Sequence, residues 1–151
     1  MTIDEKFIDL FVNVTSKAAF ASYNLVGKKN KIAADKAAVD SMRNELNKLN
    51  INGNIVIGEG ELDEAPMLHI GEKVGTCNGP EIDIAVDPLE GTNFAANNLP
   101  GALSVIAMAE KNNLFNAPET YMEKISTKVN EKGIVDLDFS VKKNIFNLCE
   151  Y

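Results

Sequence analysis

The densest chemistry in the sequence lies in the stretch VDPLEGT, where two carboxylates, Asp87 and Glu90, follow an apolar run that predicts a strand. Pro88 stiffens the turn between them, Gly91 permits a tight backbone path, and Thr92 supplies a hydroxyl. Hard divalent cations prefer oxygen ligands, often one or two carboxylates completed by the phosphate of a substrate. Asp87 and Glu90 could therefore bind one ion, although a solvated acidic turn would explain the same proline and glycine.

A second acidic stretch, GEGELDEAP, begins directly after the short β-branched run 55–57. Asp63 and Glu64 fit the acidic start of a helix, which the helix dipole favours. Glu59 does not fit that interpretation, because glycines flank it at the end of a predicted strand. Ligands of catalytic sites often lie at the carboxyl ends of strands, so Glu59 is a candidate metal ligand.

Two further residues allow both a structural and a chemical interpretation. Asp35 lies among alanines near the start of a predicted helix, where an N-cap or first-turn acid is the simpler explanation. His69 is the single histidine, and it lies in an apolar run that we interpret as helical, so a structural or surface role is favoured over a catalytic triad. The sequence contains no G-x-x-x-x-G-K-[ST] phosphate loop, which disfavours an NTPase.

The elements that must position these residues follow from hydrophobic periodicity. Thr2 and Glu5 have capping-box spacing and predict a helix from near residue 3, which Gly27 ends. A second helix is predicted over 34–49. The apolar faces of the two helices are predicted to consist of Phe7, Leu10, Phe11, Val14 and Ala18, and of Ala38, Val39, Met42, Leu46 and Leu49.

Short β-rich segments predict the sheet. The strands are expected at 55–57, 81–87, 102–109 and 133–139, with a turn around Gly53 and with Pro88 ending the second strand. The tail 140–151 is predicted to be a helix. Helices followed by mixed strands and helices indicate a layered α/β or α+β domain.

Composition limits the classes of partner. A chain of 151 residues with a net charge of −7 lacks the basic surface of a nucleic-acid binder or of a protein that docks on anionic membranes. No apolar run approaches the length of a membrane span, and the acidic start is not a signal peptide, so a cytoplasmic location is expected. Cys77 and Cys149 are expected to be free thiols, because two distant cysteines make no zinc motif.

Taken together, these motifs resemble the class II fructose-1,6-bisphosphatases of bacteria. The resemblance rests on VIGEGELDEAPMLHIGEKVG at 56–75, DIAVDPLEGTN at 83–93, NAPETYMEK at 116–124 and AADKAAVDSMR at 33–43. The D-P-L-E-G-T motif alone is shared with inositol-monophosphatase-like enzymes, and the GEGELDEAPM block indicates class II. The resemblance implies a layered α/β sugar-phosphatase fold and hydrolysis of the 1-phosphate of fructose 1,6-bisphosphate to fructose 6-phosphate in gluconeogenesis.

The resemblance also implies roles for individual residues. Two Mn²⁺ or Mg²⁺ ions are expected, one held by Asp35 and Glu59 and the other by Asp87 and Glu90. The substrate would contact Glu90, Gly91, Thr92 and Tyr121. Catalysis is assigned to Glu59 and Asp87 through a metal-activated water and to Thr92, which would orient that water.

This sequence also departs from the family pattern. Full-length members are considerably longer, and their second half contributes another acidic ligand, a GGxPEG segment and basic residues that bind phosphate. Residues 1–151 are therefore expected to form the N-terminal portion of a phosphatase domain whose C-terminal half is absent. A related sugar or inositol phosphatase, such as a sedoheptulose-1,7-bisphosphatase, and an inactive truncated chain are the alternatives. Because family members are commonly oligomeric, a homo-oligomer is also expected.

Overall fold

The computed structural model describes residues 5–58, 68–115 and 122–151, and it has a mixed α/β architecture with one sheet. The chain divides into two compact units, Met1–Ala117 and Pro118–Tyr151. None of the helices in the described ranges combines the length and apolar character that crossing a bilayer requires. The elements are α1 (Lys6–Tyr23), α2 (Lys31–Leu46), β1 (Asn52–Ile57), β2 (Lys73–Val74), β3 (Glu81–Glu90), α3 (Thr92–Ala96), β4 (Leu103–Glu110) and α4 (Val141–Glu150).

The sheet of the first unit has the strand order β2-β1-β3-β4. The central strands β1 and β3 are parallel, with Asn52 opposite Glu81 and Ile55 opposite Ile84. Strands β2 and β4 pair antiparallel with β1 and β3, respectively. Because β1 and β3 run in the same direction, their carboxyl ends lie at the same edge of the sheet. This edge carries Gly58, which follows β1, and Asp87 near the end of β3.

The hydrophobic core of the first unit joins α1 and α2 to one face of this sheet. Period-two alternation along β3 turns Ile82, Ile84 and Val86 toward the core. Burial of each large aliphatic side chain stabilises the fold by roughly 1.5–3 kcal/mol relative to exposure. The fully buried large side chains include Phe11, Val14, Val39, Met42, Leu46, Ile51, Ile55, Leu68 and Val74.

The helices differ from their predicted bounds, and residues 1–4 lie outside the described part of the chain. Helix α2 begins at Lys31 rather than 34 because Asn30 is its N-cap, whose side chain accepts the N–H of Ala33 at 3.0 Å. Both predicted apolar faces are buried apart from one residue each. Leu10 is 40% exposed, and Leu49 lies beyond the end of α2 at the edge of the core.

The predicted turn around Gly53 is wrong, because Gly53 lies inside β1 opposite Ile82 and Val74. A β-carbon on Gly53 would lie 2.8 Å from Val74 Cγ2 and 2.9 Å from Ile84 Cδ1. The glycine therefore marks the close packing of neighbouring side chains rather than a turn.

The predicted end of the second strand at Pro88 is also wrong, because β3 continues to Glu90. The register between β3 and β4 shifts between Asp87 and Glu90, so Pro88 lies in an irregularity of the ladder. A proline has no N–H to donate, and such a bulge is one of the few sheet positions that tolerates it.

In the second unit, α4 confirms the predicted C-terminal helix, and Ser140 caps it by accepting the N–H of Lys143 at 3.2 Å. The predicted strand at 133–139 is wrong, because turns and bends occupy that segment. The side-chain amide of Asn144 exchanges hydrogen bonds with the backbone of Asp136 at 2.9 and 2.8 Å, and Asn147 donates to Ile134 O at 2.9 Å. These bonds satisfy backbone groups that a strand would have paired.

Candidate active site

The candidate site begins at the carboxyl end of β3, where the bulge places Asp87 opposite Val105 and Glu90 opposite Leu103. Asp87 is half-buried, and its Oδ1 is buried without a hydrogen-bond partner. The pKa of Asp87 is raised from 3.8 to about 6. Burial is the largest cause, followed by a hydrogen bond with the Glu90 side chain and by the charges of Glu90 and Asp35, against a lowering contribution from the backbone N–H of Leu89.

Asp35 approaches the same site from α2. It lies in the second turn of the helix, beyond the Asn30 cap, so the N-cap interpretation of Asp35 is wrong. Asp35 is partly buried, next to the fully buried Ala34. Burial raises the pKa of the Asp35 carboxyl, and its Oδ1 is buried without a partner. The structure thus brings together Asp87 and Glu90, with Asp35 near enough for its charge to act on Asp87.

The turn between α1 and α2 explains why α2 reaches this edge of the sheet. Gly27 N–H donates to Ala95 O at 2.9 Å, and Lys29 N–H donates to Ala96 O at 2.9 Å. The Lys29 ammonium also donates to Asn97 Oδ1 at 2.8 Å. The turn that leads into α2 is therefore bonded to α3, the helix that follows the carboxylates of β3.

Gly91 and Thr92 form the passage from β3 into α3. Gly91 has φ +79° and is the N-cap residue of α3, a backbone conformation that favours glycine. A β-carbon there would also lie 2.9 Å from Phe94 Cδ2. Thr92 is the first residue of α3 and is partly buried. Helix α3 was not predicted from the sequence, and the tight path at Gly91 was the available signal for it.

Two predicted site residues, Glu59 and Tyr121, lie outside the described residues, as does the predicted acidic helix start at Asp63 and Glu64. Gly58 and Leu68, the described residues on either side of 59–67, lie close together. A side chain on Gly58 would collide with the carbonyl oxygen of Leu68.

His69 lies in an irregular segment and not in a helix, so the predicted helical setting is wrong. Its Nδ1 is 3.3 Å from Glu72 Oε2, which gives it a structural partner. Cys77 and Cys149 are both free and exposed, as expected.

The donor atoms present allow a test of whether a metal ion fits the site. Within residues 5–58, 68–115 and 122–151, no group of three or more His, Cys, Asp or Glu side chains is arranged to hold a metal. Yet the buried side-chain atoms without a partner in those ranges are Asp35 Oδ1, Asp87 Oδ1 and Ser104 Oγ. Buried oxygens are costly unless they are paired, and carboxylate oxygens are the preferred ligands of hard divalent cations. The described carboxylates therefore fit part of a cation site.

Comparison with known proteins assigns the chain to a class of phosphatases. Residues 6–151 match the model of the family described as bacterial fructose-1,6-bisphosphatase, glpX-encoded, and the chain belongs to this family. The family predicted from the motifs is thereby confirmed.

Individual relatives agree with this assignment. The chain is 49% identical over 148 residues to a D-fructose 1,6-bisphosphatase class 2/sedoheptulose 1,7-bisphosphatase from Synechococcus sp. (strain CC9902), covering 98% of this chain and 44% of the relative. It is 51% identical over 139 residues to fructose-1,6-bisphosphatase 1 class 2 from Escherichia coli (strain K12), covering 92% and 41%. The chain thus spans less than half the length of these relatives.

One solved structure is also similar. It is an extragenic suppressor from Pyrococcus furiosus, with a TM-score of 0.48 and 15% identity, covering 71% of this chain and 41% of that one.

Proposed function

We propose that this protein hydrolyses the 1-phosphate of fructose 1,6-bisphosphate, giving fructose 6-phosphate and phosphate. Membership of the bacterial fructose-1,6-bisphosphatase family supports the proposal. The observation that carries it is the pair of buried, unpartnered carboxylate oxygens on Asp35 and Asp87. The proposal includes the layered sugar-phosphatase fold and places this chain in the N-terminal portion of the phosphatase domain, since it aligns with 41% of the Escherichia coli relative.

The carboxylates have the chemistry to hold the two expected ions, Mn²⁺ or Mg²⁺. Asp35 and Glu59 would bind one ion, and Asp87 and Glu90 would bind the other. When bound, such ions lower the pKa of a coordinated water and neutralise the charge of the phosphate. Burial of Asp35 and Asp87 supports this assignment, because partly desolvated carboxylates interact more strongly with a cation.

The residues after the carboxylates would contact the substrate. Gly91 lacks a side chain at a φ of +79°, which lets the backbone approach a phosphate closely. The hydroxyl of Thr92, at the first position of α3, would orient the attacking water. Glu90 and Tyr121 complete the proposed substrate contacts. The cytoplasmic location and the homo-oligomer stay predictions from the sequence.

A second substrate is supported by the name of a relative. The Synechococcus protein is called a sedoheptulose 1,7-bisphosphatase as well as a fructose 1,6-bisphosphatase. Both substrates are sugars with two phosphates, and the proposed metal ligands would serve either one. Sedoheptulose 1,7-bisphosphate is therefore the second candidate.

A chimaera tests the proposal directly. The region of the Escherichia coli relative that aligns with 139 residues would be replaced by this chain, and phosphate release from each sugar bisphosphate would be measured with Mn²⁺. We expect hydrolysis of fructose 1,6-bisphosphate and a loss of about 10²-fold or more in kcat/KM in the Asp87→Ala chimaera, since removal of a metal ligand removes transition-state stabilisation.

Asp138 provides the matched control, because it is an exposed aspartate in the second unit. The Asp138→Ala chimaera is expected to keep its activity. A folded chimaera that hydrolyses neither sugar bisphosphate would contradict the proposal, as would activity that does not depend on Asp87.

A further inference from the structure

An ion pair connects α2 to the segment that precedes β2. Arg43 Nε donates to Glu72 Oε1 at 2.6 Å, and Arg43 Nη2 donates to Glu72 Oε2 at 3.1 Å. The side chains are only 22% and 15% exposed, respectively. A bidentate pair of this kind fixes direction as well as distance, because the planar guanidinium matches both carboxylate oxygens.

The same carboxylate organises the turn in which it lies. Glu72 Oε2 accepts the backbone N–H of His69 at 3.3 Å, and His69 Nδ1 lies 3.3 Å from that oxygen. The backbone of the turn is bonded to β1 as well. Ile55 N–H donates to Glu72 O at 2.9 Å, and Gly71 N–H donates to Ile55 O at 2.8 Å. Arg43 is therefore coupled through Glu72 to the final residues of β1.

The ion pair joins α2 to the neighbourhood of β1. Helix α2 carries Asp35 and strand β1 leads to Glu59, and these two residues are the proposed ligands of one ion. Asp35 precedes Arg43 on α2, about two helical turns away. Strand β1 ends at Ile57, and Gly58 is the last described residue before Glu59. A metal site tolerates errors of only about 0.5 Å in the placement of its ligands, so the distance between α2 and the end of β1 matters for binding.

We propose that Arg43 and Glu72 are positioning residues that set the separation between Asp35 and the carboxyl end of β1. This inference rests on the proposed function. A role in stability alone would not require an ion pair, because apolar residues of similar volume often replace a buried pair without loss of stability. The metal affinity of a variant with apolar residues in place of Arg43 and Glu72 therefore distinguishes a positioning role from a role in stability alone.

The experiment compares Arg43→Met, Glu72→Leu, the double variant and Arg43→Lys in this chain. The dissociation constant for Mn²⁺ is measured from the electron paramagnetic resonance signal of free Mn²⁺, and Tm is measured without metal. We expect the double variant to keep a Tm near that of the unsubstituted chain and to bind Mn²⁺ about 10-fold to 100-fold more weakly, as is typical when support around a ligand is lost. Arg43→Lys keeps the positive charge but loses the bidentate guanidinium, so its Mn²⁺ affinity should lie between those of the unsubstituted chain and the double variant.

The single variants remove one partner of a partly buried ion pair and can unfold for that reason, so the double variant decides the outcome. The matched control is Lys111→Met with Glu81→Leu. This pair has an N–O distance of 2.6 Å with both side chains 53% exposed, and Mn²⁺ binding should not change.

Each result has a definite meaning. A double variant that binds Mn²⁺ as tightly as the unsubstituted chain overturns the positioning role. If Asp87→Asn abolishes binding in the same experiment, the proposed metal site stands and only the inference fails. A folded, unsubstituted chain that binds no Mn²⁺ overturns both.

Discussion

Asp87 and Glu90 lie on either side of the bulge that contains Pro88, and the Glu90 carboxyl is close enough to raise the pKa of Asp87. Burial is the largest cause of that rise to about 6, and the Glu90 side chain adds to it. Above that pH Asp87 is ionised, and the like charges of two neighbouring carboxylates favour a bound cation.

The first prediction concerns pH. In the metal-free protein, Asp87 has a folded-state pKa of about 6 and an ordinary value of 3.8, so the folded state binds more protons between these values. Stability should therefore fall as pH rises through about 6. Asp87→Asn removes this contribution, and we expect it to raise Tm at pH 7.5 but not at pH 4. Thermal unfolding followed by circular dichroism measures the difference.

Asp138→Asn is the control for this prediction, since it removes one exposed charge and should change Tm little at either pH. A metal-free Asp87→Asn protein that is less stable than the unsubstituted chain at pH 7.5 would show that the pKa of Asp87 is not raised.

The second prediction concerns Gly58. A β-carbon there would collide with Leu68 O and lie 2.8 Å from Ile55 Cγ2, so Gly58→Ala must push the backbone apart. We expect a loss of about 1–3 kcal/mol in the free energy of unfolding, as for other overpacked sites. Urea denaturation measures it.

Equal urea midpoints for Gly58→Ala and the unsubstituted chain would contradict the close approach of Gly58 to Leu68.

The third prediction concerns the start of α2. Asn30→Ala removes the side-chain oxygen that accepts the N–H of Ala33, and we expect it to destabilise the protein by about 1 kcal/mol. Asn30→Asp keeps an acceptor and should cost less. Asn13→Ala, at an exposed interior position of α1, is the control and should not destabilise, because alanine favours helices. Equal urea midpoints for Asn30→Ala and the unsubstituted chain would contradict the cap.

Local pattern predicted much of this fold, because periodicity identifies buried faces. The apolar spacing of α1 and α2 and the alternation of β3 anticipated most of their buried residues. The errors arose where tertiary contacts override local signals. Gly53 resembles a turn residue but packs against Val74, and Pro88 resembles a strand end but lies in a bulge.

The candidate site was predictable only in part for the same reason. Asp87, Glu90 and Gly91 lie within one motif, so their proximity follows from the sequence itself. The approach of Asp35 depends on hydrogen bonds from Gly27 and Lys29 to α3, which no local pattern encodes. The pairing of Arg43 with Glu72 also joins distant segments and carried no sequence signal.

The most direct test of the proposed metal site is a titration of this chain with Mn²⁺ at pH 7.5, followed by electron paramagnetic resonance. We expect saturable binding that Asp35→Asn and Asp87→Asn each weaken by about 10-fold or more, while Asp138→Asn leaves it unchanged. Binding that is the same in all three variants as in the unsubstituted chain would contradict a metal site at these carboxylates.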